Sequence, residues 1–380
     1  MECRRKTMCL ATALGRVEIG VTHGRELRSA NRVCPFRQLL GLAPGERMSP
    51  VLEERSCWFG AVMSSYGLAS EALGKWGIEV DDSTIVAHVR KAGERAREQS
   101  KERMDRALDL STRAQVVSEA DSQLDGQRVS LVLMLDGWMA RERGSNWGMK
   151  PPDMCCERVA WHEVKSAIVF RLDDRVDGSR PQVIEKFWVA WRGDPQELGR
   201  RVHAEALRRG LAQATAVYVV ADGGVWIWNI VEDRFSRAHG VLDFYHASQH
   251  MWALAHELYG RTPQAAQWVA PLLHQLRHGG EAGVLKTLND LAQVAETLEP
   301  QTREVVIREN NYFQSHRQHL RYAEMSAARC PIGSGAMEST CAQWQRRLKG
   351  VGKFWSPRGL DDLIQLETAR RNRDWEQIWN

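Results

Sequence analysis

Two short apolar runs constrain this chain more than anything else in it. Ser130 to Asp136, SLVLMLD, and Ala216 to Asp222, AVYVVAD, are continuous hydrophobic stretches of strand length, and each ends in an aspartate followed by glycine. Such a run predicts a strand covered on both faces, the central kind in an α/β sheet. Asp136 and Asp222 are then expected at the carboxyl ends of their strands, the sheet edge where α/β proteins place ligands.

A third acid stands in the stretch Cys330 to Ser356, CPIGSGAMESTCAQWQRRLKGVGKFWS. Pro331, Gly333, Ser334 and Gly335 break the preceding structure, and from Ala336 onward the residues favour helix, which puts Glu338 in a first helical turn. On that helix Glu338, Cys341, Ala342, Gln345 and Lys349 share roughly one face. Arg346 and Arg347 lie beside it. Taken alone, an acid at a helix start needs no function, because the dipole favours it by about 0.3 to 1 kcal/mol. Three carboxylates together can do more. They can hold two divalent ions about 3.5 to 4 Å apart, one activating the attacking oxygen and one stabilising the leaving oxygen. Hard oxygen donors suit Mg²⁺, with Mn²⁺ as an alternative, rather than zinc. A basic cluster below the acid suits nucleic-acid phosphates.

The wider pattern resembles a known family. Asp136-Gly137, Trp161-His162-Glu163-Val164-Lys165, Ala221-Asp222-Gly223, Asp243-Phe244-Tyr245-His246, Gly333-Ser334-Gly335 through Glu338-Ser339, and Arg347-Leu348-Lys349 through Phe354-Trp355-Ser356 occur in the order found in DDE transposases of the bacterial Kra-type insertion-sequence group, which are related to Mutator-like elements. The resemblance runs from about Leu40 to the C-terminus. It implies an α/β chain with an RNase H-like catalytic core, in which Asp136, Asp222 and Glu338 are the catalytic and metal-binding residues for two Mg²⁺ ions. It also implies cleavage of insertion-sequence ends and joining of the freed 3′ hydroxyls to target DNA. The implied partners are double-stranded DNA, as terminal inverted repeats and target, and further copies of the chain in a homodimer or higher homo-oligomer. Asp243 and His246 resemble the C/DxxH signature beside the active site and are expected to support it. Two other outcomes stay open, an RNase H-like nuclease without strand transfer and a transposase-derived DNA-binding protein without activity.

Composition limits where DNA could bind. With 52 basic against 48 acidic residues the formal charge is only +4, so any nucleic-acid footprint must be local. Eight cysteines occur without a CxxC pair. There is also no secretion pattern and no apolar run of about 18 residues, which predicts no membrane association and a cytoplasmic protein with reduced thiols, nucleoid-associated when on DNA.

Five segments are expected along the chain. Residues 1–43 form a poorly defined N-terminal segment, with strand-like alternation over Leu14 to Ile19 and with Cys34 far along the chain from Cys3 and Cys9. Residues 44–128 read as an α-helical, helix-turn-helix-like DNA-binding domain and connector. Ser49 and Pro50 start its first helix, in which Trp58, Val62 and Tyr66 continue an apolar stripe. A second helix covers Leu68 to Trp76. A third starts at Ser83 with Ile85, Val86 and Val89 inward and Arg90, Lys91, Arg95 and Arg97 outward, like a reading helix. A plain three-helix packing unit with a solvated charged face would look the same. Residues 129–250 hold the first part of the core, in the order strand, strand, strand, helix, strand, with the loop from Met139 carrying adjacent Cys155 and Cys156. Residues 251–328 form a helical insertion, broken at Pro263, Gly279-Gly280 and Pro300. Near its end Tyr312, Phe313 and Tyr322 are interleaved with His and Arg, as in a strand-stacking surface or a solvated helix face. Residues 329–380 carry the third acid and a closing helix, and Arg346, Arg347, Lys349, Lys353 and Trp355 are candidate DNA contacts. A structural turn anchored by Trp355 is the alternative for the last two.

Overall fold

The computed structural model describes residues 4–25, 32–127, 129–145, 147–148, 158–172 and 183–380; Cys155 and Cys156 lie outside the described residues. The chain divides into two compact units, one of Met1–Lys101, Arg141–Trp161 and Trp344–Asn380, the other of Glu102–Ala140 and His162–Gln343.

The first unit opens with strands β1 (Arg4–Thr12), β2 (Gly15–Arg25) and β3 (Arg32–Val33), which form an antiparallel sheet. The β1–β2 register closes at Thr12 opposite Gly15, so Leu14 is the tip of a two-residue turn, and the strand-like alternation expected there begins only at Gly15. Gly15 has φ of 109°, a conformation that glycine adopts freely. Met8, Leu10, Val21 and Leu42 bury the Cys34 thiol in a small core. Helices α1 (Pro35–Leu39), α2 (Pro50–Val62), α3 (Tyr66–Gly74) and α4 (Asp82–Leu108) follow.

Capping explains the three longer starts. Ser49 Oγ accepts from Leu52 N at 3.3 Å, Ser65 Oγ from Leu68 N at 3.1 Å and Asp81 Oδ1 from Thr84 N at 2.9 Å. The expected stripe of Trp58, Val62 and Tyr66 does not form. α2 ends at Val62, Tyr66 opens the next helix, and Trp58 and Val62 are exposed. The buried face of α2 is instead Leu52, Ser56, Cys57, Gly60 and Ala61. A methyl group at Gly60 would come within 2.6 Å of Val89 Cγ2, so small residues are what let α2 approach α4. The third helix extends to Leu108, which makes the expected connector the end of α4 followed by α5 (Arg113–Leu124).

The second unit is built on a five-stranded sheet of β4 (Ser130–Arg143), β5 (Val159–Leu172), β6 (Val183–Trp191), β7 (Ala216–Ala221) and β8 (His239–Leu242) in the order β6-β5-β4-β7-β8. β4 pairs parallel with β7, and β7 with β8, while β5 and β6 are antiparallel. Leu131 to Leu135 are all buried, as the uninterrupted apolar run requires of a central strand. Helix α6 (Pro195–Arg208) is capped by Asp194, and α7 (Val225–Arg234) and α8 (Phe244–Tyr259) follow the two parallel strands. Helices α9 (Pro263–His278), α10 (Ala282–Gln293), α11 (Pro300–Ser315) and α12 (Tyr322–Ala327) then break at or beside the expected Pro263, Gly279-Gly280 and Pro300. Two helices close the chain, α13 (Gly335–Leu348) and α14 (Pro357–Arg371). No helix among the described residues is long and apolar enough to cross a membrane.

Candidate active site

The β4–β7 ladder brings two acids together. Its parallel register ends with Leu135 opposite Ala221; Asp222 follows at the end of β7, whereas Asp136 is not at a strand end as expected but in the middle of β4, which runs on to Arg143, so the two acids lie side by side where the ladder stops. Asp136 Oδ1 accepts from Gly137 N at 2.7 Å, and Asp222 Oδ1 accepts from Gly224 N at 2.9 Å. Trp228 Nε1 donates to the Asp222 carbonyl at 3.0 Å and fixes the turn after β7.

Glu338 reaches the same place from α13. Met337 N and Glu338 N donate to the Ser334 carbonyl at 2.7 and 3.0 Å, which starts the helix where the glycines and proline end. One turn later the Cys341 thiol donates to Asp136 Oδ2 at 3.3 Å. Burial holds the Asp136 carboxyl above its usual range; the Cys341 and Gly137 hydrogen bonds oppose this, and the charges of Asp222 and Glu338 add to it. Burial and the neighbouring Asp136 push the Cys341 thiol up as well, so it stays protonated and remains a donor.

Two other side chains are set against these acids. Glu163 lies so close over Gly137 that a methyl group there would clash with Glu163 Oε1. This fourth carboxylate is already neutralised, because Lys165 Nζ pairs with Glu163 Oε2 at 2.8 Å. Trp138 is buried in the core, its Nε1 donating to Ser166 Oγ at 3.0 Å.

Asp243 is tied into the frame of the site. It is 2% exposed; its Oδ1 caps α8 by accepting from His246 N at 2.7 Å, and its Oδ2 accepts from Ser334 N. Phe244 N also donates to the Ile332 carbonyl at 2.9 Å. The start of α8 therefore clamps the glycine-rich turn that launches Glu338. Gly333 is required there, since a methyl group would come within 2.7 Å of the Tyr245 ring.

His246 is half-buried, with its ring 5.0 Å from that of His250. His250 Nδ1 binds buried Glu309 Oε2 at 2.6 Å and stacks on Tyr312 at 3.9 Å. Tyr312 in turn covers Gly223, where a methyl group would meet its ring at 2.6 Å. Burial and the charge of Asp222 push the Tyr312 hydroxyl up. Sequence reasoning did not assign roles to Cys341 or Glu309, and it placed Tyr312 only on a stacking surface. Cys341 is three residues from Glu338 on one helix face and could be found by spacing, whereas Glu309 carries no local signal. The expected stacking surface fails at Phe313 and Tyr322, both of which are fully buried.

Among the described residues, no group of three or more His, Cys, Asp or Glu side chains stands at metal-holding distances. The donor chemistry of Asp136, Asp222 and Glu338 nevertheless fits a hard cation. The charges of Asp222 and Glu338 bear on Asp136, and the hydrogen bonds that Asp136 and Asp222 accept come from backbone amides and a thiol, none of which carries a positive charge.

The predicted DNA-contact residues in the first unit are mostly occupied. Lys91 pairs with Glu46, Arg95 Nη2 with Glu53 at 3.1 Å, and Arg97 Nη1 with Asp362 at 3.4 Å. Arg347 is buried and donates to the carbonyls of Gly60, Ala61 and Ser64 at 2.8, 3.1 and 3.4 Å. Lys353 Nζ donates to the Arg347 and Arg346 carbonyls at 2.8 and 3.0 Å. Trp355 anchors a turn through Nε1 to the Leu348 carbonyl at 2.8 Å. Arg90, Arg346 and Lys349 face solvent, as does the paired Lys91.

Residues 205–377, under half of the chain, match the Uncharacterised protein family (UPF0236); the match takes in Asp222, Asp243 and Glu338 but not Asp136. No curated protein matches the chain. Among solved structures the chain is similar to the "Drosophila P element transposase strand transfer complex", at 12% identity over 90% of this chain and 83% of that one, with a TM-score of 0.26. At so low a TM-score, residue roles have to come from this chain's own geometry.

Proposed function

We propose that the chain is a DDE-type DNA transposase with an RNase H-like core, cleaving element ends and joining the 3′ hydroxyls to target DNA. One observation carries the reading: Asp136 and Asp222 lie side by side where the parallel pairing of β4 with β7 ends, and the charge of Glu338 bears on the same carboxyl. The strand order β6-β5-β4-β7-β8, with β4 central and α6 between β6 and β7, supports it as the arrangement expected of that core. The six sequence motifs support it independently.

In this reading Asp136, Asp222 and Glu338 would hold two Mg²⁺ or Mn²⁺ ions. Bound there, such ions supply charge neutralisation and activation for in-line displacement at phosphorus. The chain's own residues do the positioning. Cys341 orients Asp136 by donating to Oδ2, and Gly137 N holds Oδ1. Asp243 and the Phe244 amide keep the Ile332–Ser334 turn in place, so Glu338 enters from a defined direction. The partners are double-stranded DNA and further copies of the chain.

The test uses purified wild type, Asp136→Asn, Asp222→Asn and Glu338→Gln on labelled duplexes carrying the DNA that flanks the coding region, with Mg²⁺ and a supercoiled target. Wild type nicks and joins, and each variant loses about two to three powers of ten in rate, or 3 to 4 kcal/mol, while still binding DNA. Because the acids act as one unit, the triple variant is hardly worse than any single one. Nicking without joining would make the chain a nuclease. Binding without either would make it a transposase-derived DNA-binding protein.

A further inference from the structure

The first unit contains a cavity of about 440 Å³ bordered by Arg90, Arg143, Arg347 and Lys353, with no carboxylate among its lining residues. This is unusual in a chain of nearly balanced charge, and it differs from the neighbouring surface of α4, where Lys91, Arg95 and Arg97 each have an acidic partner. Three of the four cations are held by neutral groups instead. Arg347 and Lys353 donate to carbonyls, and Arg143 Nε donates to the Phe354 carbonyl at 3.2 Å, while Arg90 faces solvent. Four positive charges around one space repel one another, and the Lys353 ammonium is held below its usual range by burial and by Arg347.

Two aromatic rings complete the wall. Tyr66 and Trp355 meet edge to face at 6.4 Å, and the Arg347 guanidinium lies 5.1 and 5.4 Å from their ring centres. Ser356, also in the lining, caps α14 by accepting from Gly359 N at 3.2 Å. The positive end of a 15-residue helix therefore opens on the same space.

We infer that this cavity binds a nucleotide, its phosphate held by Arg90, Arg143 and Lys353 at the α14 N-terminus and its base against the Tyr66 and Trp355 rings. The volume lies within the range of small-ligand sites, roughly 300 to 1,000 Å³. Base stacking on aromatic rings beside cations is the mode by which single strands are held without sequence preference. The nucleotide can be free or part of a DNA strand, and the chemistry of recognition is shared. This inference stands apart from the catalytic reading, since none of the three acids lines the cavity.

The experiment is calorimetric titration of the full chain, without divalent metal, using inorganic phosphate, dAMP and a ten-nucleotide single strand. The variant is the double substitution Arg90→Ala and Arg143→Ala, chosen because these two side chains are exposed and Arg143 gives up one hydrogen bond to the Phe354 carbonyl, whereas Arg347 and Lys353 each hold two or more carbonyls. Wild type is expected to bind dAMP more tightly than phosphate, and dAMP is expected to compete with the strand. The double variant should bind both at least tenfold more weakly with an unchanged melting temperature. For the strand, the slope of log K against log salt should become shallower by about 0.7 for each phosphate that the variant no longer neutralises. A strand that binds more tightly than dAMP identifies DNA as the source, and equal affinities identify a free nucleotide. Phosphate binding as tightly as dAMP overturns the nucleotide assignment. Undiminished binding by the folded double variant overturns the site.

Discussion

The acids at the β4–β7 edge and the cations on α4 handle charge in opposite ways. His88, Lys91 and Arg95 of α4 all meet Glu53 of α2, and Arg97 is shared between Glu94 and Asp362. Those charges are satisfied inside the protein. At the sheet edge, Asp136 is raised by burial and by two further acids, and the groups that donate to it are an amide and a thiol rather than a cation. Like charges gathered without counter-charge cost stability, and such a cost persists where a ligand of opposite sign relieves it. A charge-rich helix is therefore poor grounds for a DNA-reading surface, and an unbalanced acid cluster is better grounds for a cation-dependent site.

The comparison can be broken most forcefully at Arg347. If its charge serves the architecture, Arg347→Ala will lower unfolding stability by about 3 kcal/mol in urea titration, because buried carbonyls are then left without a charged donor. Arg90→Ala, at an exposed position, will change it by less than about 0.5 kcal/mol. Comparable small effects at both positions would mean that Arg347 is not structural.

Asp243 offers the next test. Asp243→Ala removes a helix cap together with the acceptor for Ser334 N, and about 2 kcal/mol of stability should go with it. If Asp243 only positions the turn, Asp243→Asn, which keeps one of the two acceptors and sets an amide donor against the other N–H, will recover part of the stability and more of the cleavage rate than Asp243→Ala. A rate as low as that of Asp136→Asn would instead make Asp243 one of the acids.

A smaller effect should appear in the pH dependence of melting. Since the folded-state carboxyl of Asp136 is raised, the folded chain takes up its proton at higher pH than the unfolded chain does. Its ionisation thus weakens the fold as pH rises through the range above the ordinary aspartate value. Asp136→Asn is expected to melt higher than wild type at neutral pH, with the gap closing toward acid pH. Added Mg²⁺ should raise the melting temperature of wild type alone. A variant that melts lower than wild type at neutral pH would show that Asp136 is already compensated.

The smallest expected effect is at Lys91. Its ammonium is about half exposed at 46%, so Lys91→Ala should cost only a few tenths of a kcal/mol by thermal unfolding. Its DNA affinity at moderate salt should match that of wild type. A drop in affinity with a reduced salt slope would restore α4 as a DNA-reading helix.

How much of the fold was legible in the sequence depends on whether the signal was local. The two Asp-bearing strands were legible because a continuous apolar run with a polar end leaves a chain few alternatives. The start of α13 and the breaks around α9, α10 and α11 were legible because proline and glycine act on their own backbone. The buried face of α2 was not, because Ser56, Gly60 and Ala61 are inside for being small, a reason that exists only once α4 lies against them.

The sequence by itself determined the apolar stretches of the central strands, that Asp222 follows the end of β7, and that Glu338 sits in a first helical turn; that β4 continues past Asp136 to Arg143 it did not show. Periodicity and breaking residues act within a few positions along the chain. Only the tertiary structure decided which charges are free. Ser334 N finds Asp243, Arg347 finds the carbonyls of Gly60 and Ala61, and Arg97 finds Asp362 across long stretches of chain. Coulomb and hydrogen-bond energies depend on distance in space, so the same arginine is a phosphate contact or a structural strut according to what the fold places beside it.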